Sequence, residues 1–170
     1  MTRELLLLRH GKSDSSVGAG DFHRPLNHRG KRAAQRIGVW LAQQEIMPDY
    51  ILTSPAERAL VTAQEVCKAM GNLAESVRLD DRVYDAHVGN LLEALGDCPD
   101  AATRVMLVGH NPGLEALLVW LACDQVAVPS DGKLLPTATL ARLAMPADWR
   151  SLPRGCASLE SITRPGTLRE

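Results

Sequence analysis

Residues 5–13 read Leu5-Leu6-Leu7-Leu8-Arg9-His10-Gly11-Lys12-Ser13, an apolar run that stops abruptly on a cation, an imidazole and a glycine. The leucine run falls far short of the ~20 residues that span a membrane and has the length of a buried strand. The polar triplet then sits at the strand's carboxyl end, which is where open α/β sheets bind ligands. Histidine can serve as a nucleophile, and the planar fork of arginine suits a phosphate. Taken alone, Arg9-His10-Gly11 is equally what a polar turn after a core strand looks like, so the rest of the chain has to decide.

Working outward, the chain alternates strand and helix. A strand over 4–9 is followed by a Ser-, Gly- and Asp-rich loop over 14–25, then by a helix over 28–44 with Ala33, Ile37, Trp40 and Leu41 on one face. Residues 50–53 make a second short strand. The next helix has Ser54 as N-cap, Pro55 at the first helical position and Glu57 completing a capping box. Its inward face is Ala59, Ala63, Val66, Cys67 and Met70, and Gly71 closes it. A strand over 77–80 precedes a helix over 88–96. Residues 104–109 are the clearest buried strand; His110 follows, and Asn111-Pro112 opens an apolar helix running to about Cys123. Strands over 137–144 and 156–163 come late and belong at the sheet edge, and 164–170 reads as a surface tail. The pattern predicts an α/β sheet with helical crossovers in a single domain over 1–170, with 146–170 as its C-terminal strand and tail.

Composition narrows the function. A net charge of -1 gives no general pull toward nucleic acid or anionic membrane, and 4% aromatics leave little for stacking on bases. Cys67, Cys98, Cys123 and Cys156 are widely spaced, as reduced thiols of a cytoplasmic protein are, with no zinc or disulfide pattern. No signal peptide and no transmembrane stretch is read. The phosphate-loop, dinucleotide and nucleophile-elbow motifs are missing, as is His-Glu-x-x-His. Asp80-Asp81, the acidic pair to check for a metal, reads as a solvated turn, so no metal and no cofactor are expected.

Three residues share one layout. His10 follows a strand, Arg58 lies in the first turn of a helix that follows a strand, and His110 stands between a strand and a helix. In a parallel sheet these points share one edge, where helix amino termini add partial positive charge. With Arg9 they make a cationic pocket in a nearly neutral chain, and a phosphoryl group is its natural guest. His23, His28 and His87 read as surface or loop residues.

Leu8-Arg9-His10-Gly11, Arg24-Pro25-Leu26, Ser54-Pro55-Ala56-Glu57-Arg58-Ala59 with Thr62-Ala63, Asp81-Arg82-Val83-Tyr84, Val108-Gly109-His110-Asn111-Pro112-Gly113-Leu114-Glu115 and Leu135-Pro136-Thr137 together resemble the histidine phosphatase superfamily. The cofactor-dependent phosphoglycerate mutases belong to the same superfamily, and the similarity is greatest to the small SixA-type phosphohistidine phosphatases. The resemblance runs from residue 4 to about 145. It implies a three-layer α/β/α sandwich with a mostly parallel central sheet. It implies that His10 is the nucleophile, that Arg9 and Arg58 clamp the phosphoryl oxygens, and that His110 donates to them. Arg24 and Ser16 become further phosphate- or substrate-binding residues.

For this chemistry His10 must be neutral, and the cations around it are expected to depress its pKa from about 6.5. Its second nitrogen is expected to donate to a backbone carbonyl. Asp85 is the candidate general acid, shorter than the glutamate of the larger relatives. A weak acid favours a leaving group that departs without help, such as the imidazole of phosphohistidine. Lys12 stands where mutases often carry an acidic residue. The expectation is a metal-independent, monomeric, cytoplasmic phosphohistidine phosphatase acting in signal transduction on a phosphorylated histidine-containing protein. A phosphatase of a small phosphorylated metabolite and a non-catalytic phosphate-binding regulatory domain are the alternatives.

Overall fold

Strand β1 (Arg3–Arg9) is the leucine run, and its side chains alternate between two cores. Leu5 and Leu7 face one, Leu6 and Leu8 the other, and none has any exposed surface. An unbroken apolar run makes a strand here because both faces of its pleat are covered. Its partners repeat the arrangement. In β2 (Tyr50–Thr53) and β4 (Arg104–Gly109), Ile51, Met106 and Val108 join Leu6 and Leu8, whereas Leu52, Val105 and Leu107 join Leu5 and Leu7.

The six-stranded sheet is completed by β3 (Val77–Leu79), β5 (Leu140–Met145) and β6 (Ser158–Thr163), in the order β3-β2-β4-β1-β5-β6. The first four strands are mutually parallel; β5 is antiparallel to β1, and β6 to β5. Helices α1 (His28–Gln43) and α2 (Glu57–Met70) cover one face, and α3 (Val88–Gly96) and α4 (Gly113–Ala122) the other. The result is a three-layer α/β/α sandwich with a mostly parallel sheet. This computed structural model describes residues 2–71 and 76–168.

Several boundaries differ from the sequence reading, each for a local reason. Residues 137–139 do not start β5, because Ala138 turns at φ 56° and its N–H reaches the carbonyls of Arg9 and His10, both at 3.0 Å. β5 is interior, so β6 alone of the two late strands is at the edge. The inward stripe of α1 runs through Ala34, Ile37 and Leu41, with Ala33 and Trp40 half-buried beside it. Ser54 does not cap α2: the cap position is Ala56, without a side-chain bond, and the Ser54 hydroxyl is engaged elsewhere. Gly71, at φ 119°, closes α2 as expected. The tail does not trail free, since Pro165–Thr167 form a short 3-10 turn and Leu168 packs against the α1–α2 core. Residues 169–170 of that expected tail lie outside the described residues. Among the described residues no helix is long and apolar enough to cross a membrane.

Candidate active site

β4 lies between β1 and β2, so the carboxyl ends of three parallel strands are flush. The His10 N–H donates to the Gly109 carbonyl and the Ser54 N–H to the Val108 carbonyl, both at 3.0 Å. This alignment brings the His10 and His110 rings to 5.1 Å between centroids. α2 begins three residues after Ser54 and delivers Arg58 in its first turn. His10 and Arg58 are 6% and 5% exposed. The predicted residues Arg9, His10, Arg58 and His110 therefore share one neighbourhood, with Arg24 at its side.

His10 Nδ1 lies 2.7 Å from the Gly11 carbonyl oxygen. A carbonyl only accepts, so Nδ1 carries the proton and Nε2 keeps a free lone pair. Burial, and after it the charges of Arg58, Arg9 and Arg24, push the His10 pKa down to about 4 against the opposing pull of the Gly11 carbonyl. The neutral state expected from the sequence is thus present, with burial rather than the cations as its main cause. His110 is pushed down to about 3, again by burial first and then by His10, Arg58 and Arg9, with Asp21 opposing. Its Nε2 is 2.7 Å from the Ser54 hydroxyl.

The surrounding donors are held from behind. Gly11 N–H donates to Thr62 Oγ1 at 2.9 Å, and Thr62 donates to the Arg58 carbonyl at 2.7 Å, tying α2 to the end of β1. Arg58 donates from Nη1 to the Asp21 carbonyl at 2.5 Å and from Nη2 to the Asp21 carboxylate at 3.1 and 3.3 Å. Arg9 donates from Nη1 to the Leu135 carbonyl at 3.2 Å. Arg9 Nε, Arg58 Nε and His110 Nδ1 are buried without a hydrogen-bond partner. Buried donors are nearly always paired. Two open arginine donors and one open imidazole nitrogen, grouped about a neutral histidine, form a set suited to an anionic acceptor.

Arg24 donates from Nε to Ser13 Oγ at 2.8 Å and pairs with Asp21 at 3.1 Å. Asp21 is the hub of this side of the site. The Tyr84 hydroxyl donates to it at 2.5 Å, and this bond, followed by Arg58 and Arg24, holds its pKa down at about 2. Tyr84 stands edge-on to His110 at 5.6 Å. Two further expected residues form no hydrogen bond to this group. Ser16 is exposed and donates to Asp14 at 2.5 Å. Asp85 is exposed at φ 51°, and its carboxylate has no hydrogen bond or ion pair among the described residues. The Asp80-Asp81 pair is a turn as expected, but only Asp81 is exposed; Asp80 caps the Asp81–Val83 turn and pairs with Arg82 at 2.7 Å. His23, His28 and His87 are exposed, and His87 caps α3. Among the described residues no group of His, Cys, Asp or Glu is placed to hold a metal ion.

Sequence reasoning assigned no site role to Asp21, Ser54, Thr62 or Tyr84. Thr62 carried a usable signal, lying one helical turn beyond Arg58 on the same face. Asp21 carried another, three residues before Arg24 in a loop otherwise rich in small residues.

A sequence profile of the histidine phosphatase superfamily, branch 1, matches residues 5–97. The chain belongs to this superfamily. An uncharacterized protein of Mycobacterium tuberculosis is 32% identical over 162 residues, covering 93% of this chain and 99% of that protein. A 2,3-bisphosphoglycerate-dependent phosphoglycerate mutase of Bifidobacterium longum is 35% identical over 94 residues, 54% of this chain and 38% of the mutase. Among solved structures, a SixA of Agrobacterium tumefaciens assigned as a phosphohistidine phosphatase superposes with a TM-score of 0.82 at 28% identity, covering 97% of this chain and 99% of that one. The phosphoglycerate mutase-like fold expected from the motifs is the fold observed.

Proposed function

We propose that this protein is a phosphohistidine phosphatase that works through a covalent phosphoryl intermediate on His10. The observation that carries the reading is a neutral His10, its Nδ1 tied to the Gly11 carbonyl and its Nε2 free, set among the unpaired buried nitrogens of Arg9, Arg58 and His110. A phosphoryl centre repels nucleophiles until its oxygens are neutralised. Arg9, Arg58 and His110, with Arg24 beside them, supply that neutralisation without a metal, as preorganised charge. The Nε2 lone pair attacks phosphorus, an N–P bond forms, and the bond to the leaving group breaks. Water then attacks phospho-His10, releasing phosphate and restoring the imidazole.

The leaving group follows from the acids near the site. Asp21 is held ionised by Tyr84, Arg58 and Arg24, so it has no proton to give. Glu115 accepts the Leu135 N–H at 2.9 Å. Asp85 is turned to solvent. A phosphohistidine whose second ring nitrogen is protonated, as happens near the ordinary histidine value of about 6.5, releases neutral imidazole without a strong general acid, whereas an alkoxide needs one. Phosphohistidine suits such a site better than a sugar phosphate, and the likeness to the Agrobacterium SixA supports the same choice. The second reading is a phosphatase of a small phosphorylated metabolite, the kind of substrate named in the partly similar mutase.

The test is a trapping and turnover experiment. With phosphoramidate as donor, 32P should appear on the wild-type protein and not on His10→Ala, and a phosphohistidine peptide should be hydrolysed faster than any sugar phosphate. Rapid turnover of sugar phosphates with no action on phosphohistidine would overturn the substrate assignment. Turnover without a labelled protein would overturn the mechanism.

A further inference from the structure

We infer that the cleft between the first turns of α1 and the loops at Thr137 and Pro165 is a docking surface for an acidic protein segment, the stretch flanking the phosphohistidine of a partner protein. This rests on the reading of the site given above and adds what the partner must look like.

Helix α1 carries its charge in the wrong place. α1 carries Arg29, Lys31, Arg32 and Arg36 and not one acidic residue. A helix pole favours acids in the first turn and bases in the last; α1 has neither, and sets Arg29 and Lys31 at its positive end. A helix face that only meets water gains nothing from this pattern and is normally laced with both signs. Arg82, Arg104, Arg142 and Arg164 are each paired with a carboxylate. Lys12, Arg29 and Arg32 have no such partner among the described residues.

These cations converge. Lys12, Arg29, Arg32 and Arg36 line one cleft of about 350 Å³ together with Thr137. The cleft adjoins the chain segment that follows His10. Lys12 is two residues beyond His10, and its carbonyl accepts the Asn27 N–H at 3.0 Å just before α1 begins. Gly11 and Gly30 let the strand end and the helix touch: a Cβ at Gly11 would lie 2.7 Å from the Gly30 carbonyl oxygen. Thr137 also lines the neighbouring cavity that contains Arg9 and Asn111. A polypeptide presenting its phosphorylated imidazole to His10 thus lays adjacent residues against a cationic groove. Guanidinium forks match carboxylates, and local positive charge on a nearly neutral protein steers an acidic partner to this side.

The test uses the full chain and three synthetic peptides that share one phosphohistidine but flank it with glutamates, glutamines or lysines, with phosphoramidate as a substrate too small to reach the cleft. The wild-type kcat/KM should favour the glutamate peptide over the glutamine peptide by on the order of 10-fold, chiefly through KM, and added salt should erase the preference. Arg29→Glu combined with Arg32→Glu should abolish the preference, leave phosphoramidate turnover within about 2-fold, and hold or raise Tm, since acids suit that helix end. Equal use of the three peptides by the wild type would overturn the proposal, as would an equal loss on phosphoramidate. So would a double variant that slows a bisphosphorylated sugar and not the peptides, which would give the cleft to a small metabolite. A lower Tm would mean that the cations serve the fold. No action of the wild type on phosphoramidate or on any peptide would defeat the functional reading itself, and the partner with it.

Discussion

His110 is neutral above about pH 3 and has a single ring proton to place. Its Nε2 faces the Ser54 hydroxyl at 2.7 Å, and its Nδ1 is buried without a partner. Ser54 Oγ accepts the Ala56 N–H at 3.2 Å and keeps its hydrogen and a second lone pair; an anion at Nδ1 selects the state in which that hydrogen goes to Nε2. The ring proton then belongs on Nδ1, where it can donate to a phosphoryl oxygen. Ser54→Ala should therefore lower kcat by about 10-fold or more with little change in KM, less than the ~10²–10³ that follows loss of a whole oxyanion donor. The 15N shifts of the His110 ring should show loss of the pure Nδ1–H tautomer. An unchanged kcat with an unchanged tautomer would remove Ser54 from the chemistry. The same residue shows how far the site was legible. Arg9, His10, Arg58 and His110 announce themselves because each stands at the end of a strand or the start of a helix, and topology does the rest. Ser54 announces the wrong role: beside Pro55 and Glu57 it has every local mark of a helix cap, and the partner that ties its hydroxyl to the site lies 56 residues away. Ser16 shows the converse, since its loop position suggested the anion and Asp14 holds it instead.

Among elements, α1 owes its position to a contact without side chains. Gly30 packs so closely on Lys12 that an added Cβ would run into the Lys12 backbone nitrogen and carbonyl, and neither can rotate away. Gly30→Ala is expected to cost about 1–3 kcal/mol as the helix or the strand end shifts. Because Gly11 and Lys12 follow His10 directly, turnover should fall further than the lost stability explains, measured where the variant remains folded. Gly18→Ala, with nothing within 4 Å of the new carbon, is the control and should stay within about 0.5 kcal/mol of wild type. Denaturant unfolding and steady-state rates decide both. Elements with their own periodicity were legible: β4 runs over Arg104–Gly109 as its apolar run indicates, and α3 over Val88–Gly96. The start of β5 was not, because residues 137–139 look extended yet are drawn out of the strand by the carbonyls of Arg9 and His10, a contact that periodicity does not encode.

For the whole molecule, the neutrality that readies the site sets an acid limit on the fold. His10 and His110 titrate near 4 and 3 in the folded protein. In the unfolded chain each takes up a proton near the ordinary histidine value of about 6.5. Between these values the unfolded state binds more protons, so stability falls as pH falls from about 6.5 toward 4 and is level above that range. With about 1.4 kcal/mol per pKa unit and two such groups, the loss is on the order of several kcal/mol, a large part of a typical ~5–15 kcal/mol. The carboxylates held low, Asp21 by Tyr84 and the arginines and Glu4 by Arg142 and Arg104, lose their contribution only as pH drops through the ordinary carboxylate range near 4. The window between about pH 4.5 and 6.5 therefore belongs to the histidines. Tm should decline steadily from pH 7 to pH 5 in the wild type, and His10→Asn and His110→Asn should each flatten the decline. Over the same range wild-type turnover should hold, because His10 keeps its free lone pair down to about pH 4. A Tm profile equally steep in both variants would place the acid sensitivity outside the site, and a rate that halves near pH 6.5 would show that burial does not keep His10 neutral.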